Sequence, residues 1–160
     1  MLCDSTRFGS FEIPDEDVLV FADELAGLPG TRYALIGKAE QLPFVWLHSV
    51  ERAELALPVT DPWLFVPDYD VRVPDEDVHR LGLGSPEEAE IYCVVRAVGE
   101  LADFSINLAA PIVIHTARRA GRQIINGAGR YPVRHPLFSE VELNEVQHAT
   151  SGMALQATAV

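Results

Sequence analysis

The chain has 160 residues, 48 % hydrophobic and 22 % charged, the composition of one ordinary folded domain and not of a disordered segment. Its 24 acidic residues stand against 12 basic ones, a formal charge of −12 that excludes a protein holding nucleic acid through clustered Lys and Arg. No apolar stretch approaches the roughly 20 residues of a membrane-spanning helix, and no signal-peptide core is read at the N-terminus.

In chain order the residues read as many short strands with two brief helical inserts. Phe11 and Ile13 open an apolar and acidic stretch, and Val18 to Phe21 make a compact β-prone run. Gly27-Leu28-Pro29-Gly30 marks a turn or loop, and Tyr33 to Ile36 a second strand closed by Gly37. Phe44-Val45-Trp46-Leu47-His48-Ser49-Val50 is apolar on nearly both faces, the pattern of a central strand. Leu55, Leu57 and Val59 alternate with Ala56, Pro58 and Thr60, as in a strand with one covered face. Pro58 has no amide proton and belongs at an edge or bulge of it. Asp61 to Asp70 is the densest aromatic segment, bracketed by Pro62 and Pro67, and reads as short extended pieces joined by tight turns.

Pro74-Asp75-Glu76-Asp77 places proline and three carboxylates in the first turn of a helix that Gly82 ends. Ser85-Pro86-Glu87-Glu88 has the spacing of a capping box and predicts a second short helix. Ile91 to Val98 and Ala110 to His115 read as buried strands, and Arg118-Arg119-Ala120-Gly121 as a hairpin connection into Arg122-Gln123-Ile124-Ile125. Residues 139–160 are mostly small or polar and read as a short helix or loose tail. The expected fold is therefore mainly β: a small antiparallel sheet closed on itself as a barrel-like single domain over residues 1–138, with short helical inserts.

Charge is unevenly spread. Residues 1–80 carry 16 acidic and 6 basic groups, whereas residues 104–139 hold no acid and five arginines: Arg118, Arg119, Arg122, Arg130 and Arg134. Such a distribution steers and orients basic partners, although a solvated acidic surface that keeps a small protein soluble accounts for the same counts.

Catalytic signals are sparse. No Gly-x-Ser-x-Gly occurs, and His48, His79, His115, His135 and His148 form no metal-ligand spacing. Cys3 and Cys93 lack redox or metal spacing and suit a reducing cytoplasm, so neither a cofactor nor a metal is expected. His48, inside an apolar strand, reads first as a satisfied core or groove histidine. Asp61, Asp68 and Asp70 sit among prolines, where Asp commonly bonds its own backbone. Taken with a histidine, Asp61 and Asp68 keep open a small β-barrel enzyme or ligand-binding protein. Rigid aromatic area beside carboxylates from Trp63 to Tyr69 suits a protein contact. Core packing is the alternative for Trp63 and Phe65, whereas Tyr69, between Asp68 and Asp70, is expected to be partly exposed.

Several segments in order carry a family resemblance. Phe44-Val45-Trp46-Leu47-His48-Ser49-Val50-Glu51, Asp61-Pro62-Trp63-Leu64-Phe65-Val66-Pro67-Asp68-Tyr69, Asn107-Leu108-Ala109-Ala110-Pro111-Ile112-Val113-Ile114 and Gly121-Arg122-Gln123 resemble the flagellar assembly factor FliW family. The match runs over residues 6–137, down to Tyr131-Pro132-Val133-Arg134-His135-Pro136-Leu137. The resemblance implies a small β-barrel-like fold, no catalysis and two protein partners. One is CsrA, a small basic dimeric RNA-binding regulator of translation. The other is flagellin, which competes for the factor and so couples flagellin secretion to translation of its message. A dedicated flagellin chaperone with no role in translation is the other possibility. The chain departs from the family in three places. Phe21-Ala22-Asp23-Glu24-Leu25-Ala26-Gly27-Leu28 stands where a Phe-Pro-Glu-Gly-Leu type is usual, His48 replaces a glutamine, and Ser105-Ile106 precede Asn107 where a threonine is usual. From the matching or acidic segments, Glu24, His48, Asp61, Asp68, Tyr69 and Asn107 are the candidate partner contacts. If His48 lies in an acidic contact surface, its protonation makes recognition pH-dependent.

Overall fold

In the computed structural model, which describes residues 1–25, 28–37 and 43–138, the β-prone runs form eleven short strands. They are β1 (Leu2–Ser5), β2 (Gly9–Glu12), β3 (Leu19–Phe21), β4 (Arg32–Ile36), β5 (Phe44–Ser49) and β6 (Ala56–Thr60). After α1 (Asp75–Leu81), the one α-helix among the described residues, come β7 (Ala89–Arg96), β8 (Ser105–Ile106), β9 (Ile112–His115), β10 (Ala120–Gln123) and β11 (His135–Pro136). Strands β3, β4, β5, β6, β7, β9 and β10 pair in a ring and close a seven-stranded barrel. Every pairing is antiparallel except β3 with β10, where Val20 and Phe21 run parallel to Ala120 and Gly121. The all-antiparallel expectation thus fails at one seam.

The longest strand, β7, makes closure possible by changing neighbours along its length. Ala89 to Tyr92 pair with β9, Cys93 and Val94 with β6, and Val95 and Arg96 with β8. Pro58 pairs with Trp46 of β5 but stops short of the two β6 residues that reach β7, so its missing N–H interrupts no ladder on that side. The barrel interior is filled: Leu19, Phe21, Tyr33, Leu47, Val59, Ile112 and Ile114 are almost wholly buried. A second apolar cluster, under the aromatic segment, holds Tyr69, Cys93, Val95, Ile106, Leu108 and Leu137.

Helix α1 forms where the sequence predicts it, with three acids in its first turn and Gly82 in the left-handed conformation at its C-terminus (φ 68°). The second predicted helix does not form. Pro86–Glu88 makes one 3-10 turn without a Ser85 side-chain cap, because the chain must enter β7 at Ala89. Glu88 instead accepts from the Gly84 N–H at 2.9 Å and faces His115 Nε2 at 3.2 Å. The hairpin β1–β2 is an element the sequence reading missed. It is tied to the barrel by His48, whose Nε2 meets Ser5 Oγ at 2.8 Å while Nδ1 meets the Ser49 carbonyl at 2.6 Å. Ser5 Oγ already accepts from the Arg7 and Phe8 amides, so its own proton goes to His48. The expectation for residues 139–160, and the part of the predicted turn at Gly27, lie outside the described residues.

Candidate functional site

The aromatic segment leaves the barrel after β6 and packs across β7. Asp61 caps its first turn by accepting from the Trp63 N–H at 3.0 Å. The Trp63 indole N–H donates to the Tyr69 carbonyl at 2.8 Å, folding the segment back on itself. Tyr69 contradicts its expected exposure: it is 4 % exposed, and its hydroxyl donates to the Leu108 carbonyl at 2.6 Å. The Asp68 and Asp70 side chains are exposed while the ring between them, just after the turn closed by the Tyr69 amide on the Val66 carbonyl, is buried. Burial pushes the Tyr69 hydroxyl well above its usual range, and burial pushes the Cys93 thiol beside it up to about 12.

Asn126, buried at the end of an apolar run, fixes the rest of the segment. Its Oδ1 accepts from the Arg72 amide at 3.0 Å, and its Nδ2 donates to the Asp70 carbonyl at 2.9 Å and to Tyr69 Oη at 3.2 Å. The Tyr131 hydroxyl accepts from the Asp70 amide, and its ring packs edge-on against Tyr69 with centroids 4.7 Å apart. Neither residue was singled out from the sequence. The one signal is an amide side chain closing the Ile124-Ile125 run.

So held, the segment forms one wall of an apolar groove of about 540 Å³. Trp63, Val71 and Val73 of the segment line it together with Val78 of α1, Leu83, and Ala89 and Ile91 of β7. Trp63 is 39 % exposed and Leu64 63 %, an apolar surface that single-domain packing leaves uncovered. A smaller hollow continues past Trp63 to Asp61, Glu90 and Tyr92. The stretch of chain that builds the groove is acidic: residues 61–90 hold nine Asp or Glu and two Arg. Some of these acids serve structure. Asp77 accepts from Arg122 Nε at 2.8 Å, Glu76 pairs with Arg80 at 2.8 Å, and Asp23 also binds Arg122. Glu87, next to groove-lining Pro86, and Asp75, two residues after groove-lining Val73, are exposed.

The six candidate contacts are therefore dispersed. Asp61 and Asp68 belong to the aromatic segment, and Glu24 is exposed on the loop after β3. Asn107 turns its side chain onto its own loop, accepting from the Ala109 and Ala110 amides at 3.1 Å. His48 and Tyr69 are buried and offer no side-chain surface. With His48 at 1 % exposure, the acidic contact surface on which its pH switch depended is not where the side chain lies. Among the described residues, no cluster of His, Cys, Asp and Glu could hold a metal ion, and no helix is long and apolar enough to cross a membrane.

Fold and site together define a small closed β-barrel with a filled interior and an apolar groove outside the barrel, between its helix and an aromatic turn segment. The family model described as FliW protein matches residues 2–137, and the chain belongs to the FliW family of flagellar assembly factors. It is 35 % identical over 148 residues to the flagellar assembly factor FliW of Ruminiclostridium cellulolyticum, covering 91 % of this chain and all of that one. Its identity to the Thermotoga neapolitana factor is 38 % over 143 residues, covering 86 % of this chain and 94 % of the relative. The crystal structure of a flagellar assembly factor FliW superposes with a TM-score of 0.80 at 27 % identity, covering 88 % of this chain and 99 % of the other.

Proposed function

We propose that this chain is a non-enzymatic, cytoplasmic flagellar assembly factor that binds flagellin and antagonises a CsrA-type RNA-binding regulator of translation. The observation that supports this most is the apolar groove at Trp63, built by an acidic stretch of a chain of net charge −12. A rigid aromatic anchor among carboxylates suits a basic partner, and the same carboxylates repel RNA phosphate from the complex. The link to RNA is then indirect. The filled barrel favours a contact role over small-ligand chemistry, and Asp61 is spent on capping a turn.

Calorimetric titration of CsrA into the protein from about 50 to 500 mM salt tests the electrostatic part. Affinity should fall steadily, and Asp75→Lys with Glu87→Lys should lower it at low salt. Affinity flat across that range refutes the account. A pull-down from native cells that retains flagellin without CsrA would instead assign a dedicated flagellin chaperone.

A further inference from the structure

We infer a second docking site at the other end of β7, opposite in sign to the groove and fitted to an acidic partner segment that carries a large apolar side chain. Two adjoining hollows form it. The first, about 220 Å³, is walled by Phe8, Phe44, Trp46, Pro58, Val95 and Phe104, with room for one large side chain. Phe8 is 41 % exposed at its mouth and stands edge-on to Trp46 with ring centroids 5.9 Å apart. The second hollow shares Phe104 and is lined by Arg96 and Arg134. A third cation completes the set: the Arg7 guanidinium lies 4.2 Å from the centroid of the Trp46 ring.

The described arginine–carboxylate ion pairs run through Arg72, Arg80 and Arg122, and not through Arg7, Arg96 or Arg134. The one acid lining these hollows, Asp103, already accepts from the Glu100 amide at 3.1 Å, and the Glu100 carboxylate bonds back to the Asp103 amide. Three guanidiniums without carboxylate partners among the described residues, beside an aromatic hollow, match carboxylates flanking an apolar anchor. Nucleic acid fits less well, because the field of a −12 chain opposes a polyphosphate. Five residues of extended strand separate Ile91 in the acidic groove from Arg96, about 17 Å at about 3.4 Å per residue, so the two sites are separable. The inference goes beyond the proposed function and depends on neither of its partners.

The test is fluorescence anisotropy of the full chain with a labelled synthetic peptide in which Leu and Phe are flanked by Glu. Wild type should bind, and Arg96→Glu with Arg134→Glu should weaken binding by about tenfold or more. Ala97→Trp, which plugs the aromatic hollow from an exposed position, should weaken it comparably, while Trp63→Ala leaves it unchanged. Circular dichroism confirms that each variant is folded. The inference is overturned if wild type shows no binding up to about 1 mM, or if charge reversal has no effect. It is equally overturned if Gly in place of the peptide's Leu and Phe costs nothing, or if an oligouridylate binds as well.

Discussion

Gly121→Ala tests why the barrel closes with a glycine at its one parallel seam. Gly121 sits opposite Phe21 of β3 on one side and Ile114 of β9 on the other. A Cβ built there meets Phe21 ring atoms at 2.5, 2.7 and 3.1 Å, against the roughly 3.5–4.0 Å of a relaxed carbon contact. The ring has to move by about 1 Å, yet it is fully buried and packed edge-on against Tyr33, whose hydroxyl is fixed to the Pro29 carbonyl at 2.8 Å. The backbone cannot retreat without loosening a ladder on each side. Overpacking of this kind costs about 1–3 kcal/mol, offset by about 0.4–1 kcal/mol from the stiffer unfolded chain, for a net loss of about 1–2 kcal/mol. At about 2–4 °C per kcal/mol for a domain of this size, thermal unfolding followed by circular dichroism should show Tm lowered by about 2–8 °C. Adding Phe21→Leu should recover part of the loss, a coupling of at least about 0.5 kcal/mol. An unchanged or raised Tm, or strict additivity of the two changes, refutes the steric reasoning.

Arg122→Met should lower stability by about 1–3 kcal/mol in urea titrations, because it leaves the largely covered Asp77 carboxylate without its cation; Asp77→Asn in that background should restore part of it. His48→Ala strands the Ser5 hydroxyl and frees the hairpin, so hydrogen exchange should quicken at the Arg7 and Phe8 amides with a global loss of about 1–3 kcal/mol. Alkaline pH should destabilise the protein. Burial raises the Cys93 thiol to about 12 and also lifts the Tyr69 and Tyr92 hydroxyls, so above their ordinary values the unfolded chain binds fewer protons than the folded one. The stabilisation is whole below about pH 8.5 and is lost progressively toward about pH 12. Guanidinium midpoints measured between about pH 8 and 11 should fall less steeply for Cys93→Ala, and parallel slopes would remove the thiol from the account.

What the sequence showed and what it hid divide along the range of the interactions. Helix α1 is legible because its signals are local: Pro74, three carboxylates and Gly82 act within one or two turns. The Ser85–Glu88 pattern yields only one 3-10 turn: the glutamate still bonds back to the Gly84 amide, but it also faces His115, 27 positions later, and the chain enters β7 at Ala89. Tyr69 looked exposed from its neighbours, but its partners Leu108 and Asn126 lie 39 and 57 residues away. Closure of the sheet was legible from the run of short strands; the parallel β3–β10 seam was not, since no periodicity states which strand meets which. The groove is a juxtaposition of α1, the 61–73 segment and the start of β7, and no single stretch of sequence carries its shape.

The acidic excess, read as one number, conflates two populations that the structure separates. Asp23, Asp77 and Glu88 are engaged by Arg122, Arg80 and His115 and hold α1 and its flanking loops against the barrel, while Glu76 pairs with Arg80 within the helix. Asp68, Asp75 and Glu87 are exposed and have no hydrogen-bond or ion-pair partner among the described residues. Charge reversal should therefore act in two distinguishable ways. At Asp77 it should lower the melting temperature, and any loss of binding should follow from the loss of fold. At Asp68 or Glu87 it should leave melting within about 0.5 kcal/mol of wild type, and at Asp75, in the first turn of α1, it should cost about 1 kcal/mol; at all three the main effect should be on the affinity for a basic partner and its salt dependence. If reversal at Asp75 and Glu87 shifts melting as much as reversal at Asp77 does, the exposed acids are structural too, and the groove loses the charge that marks it as a site for a basic protein.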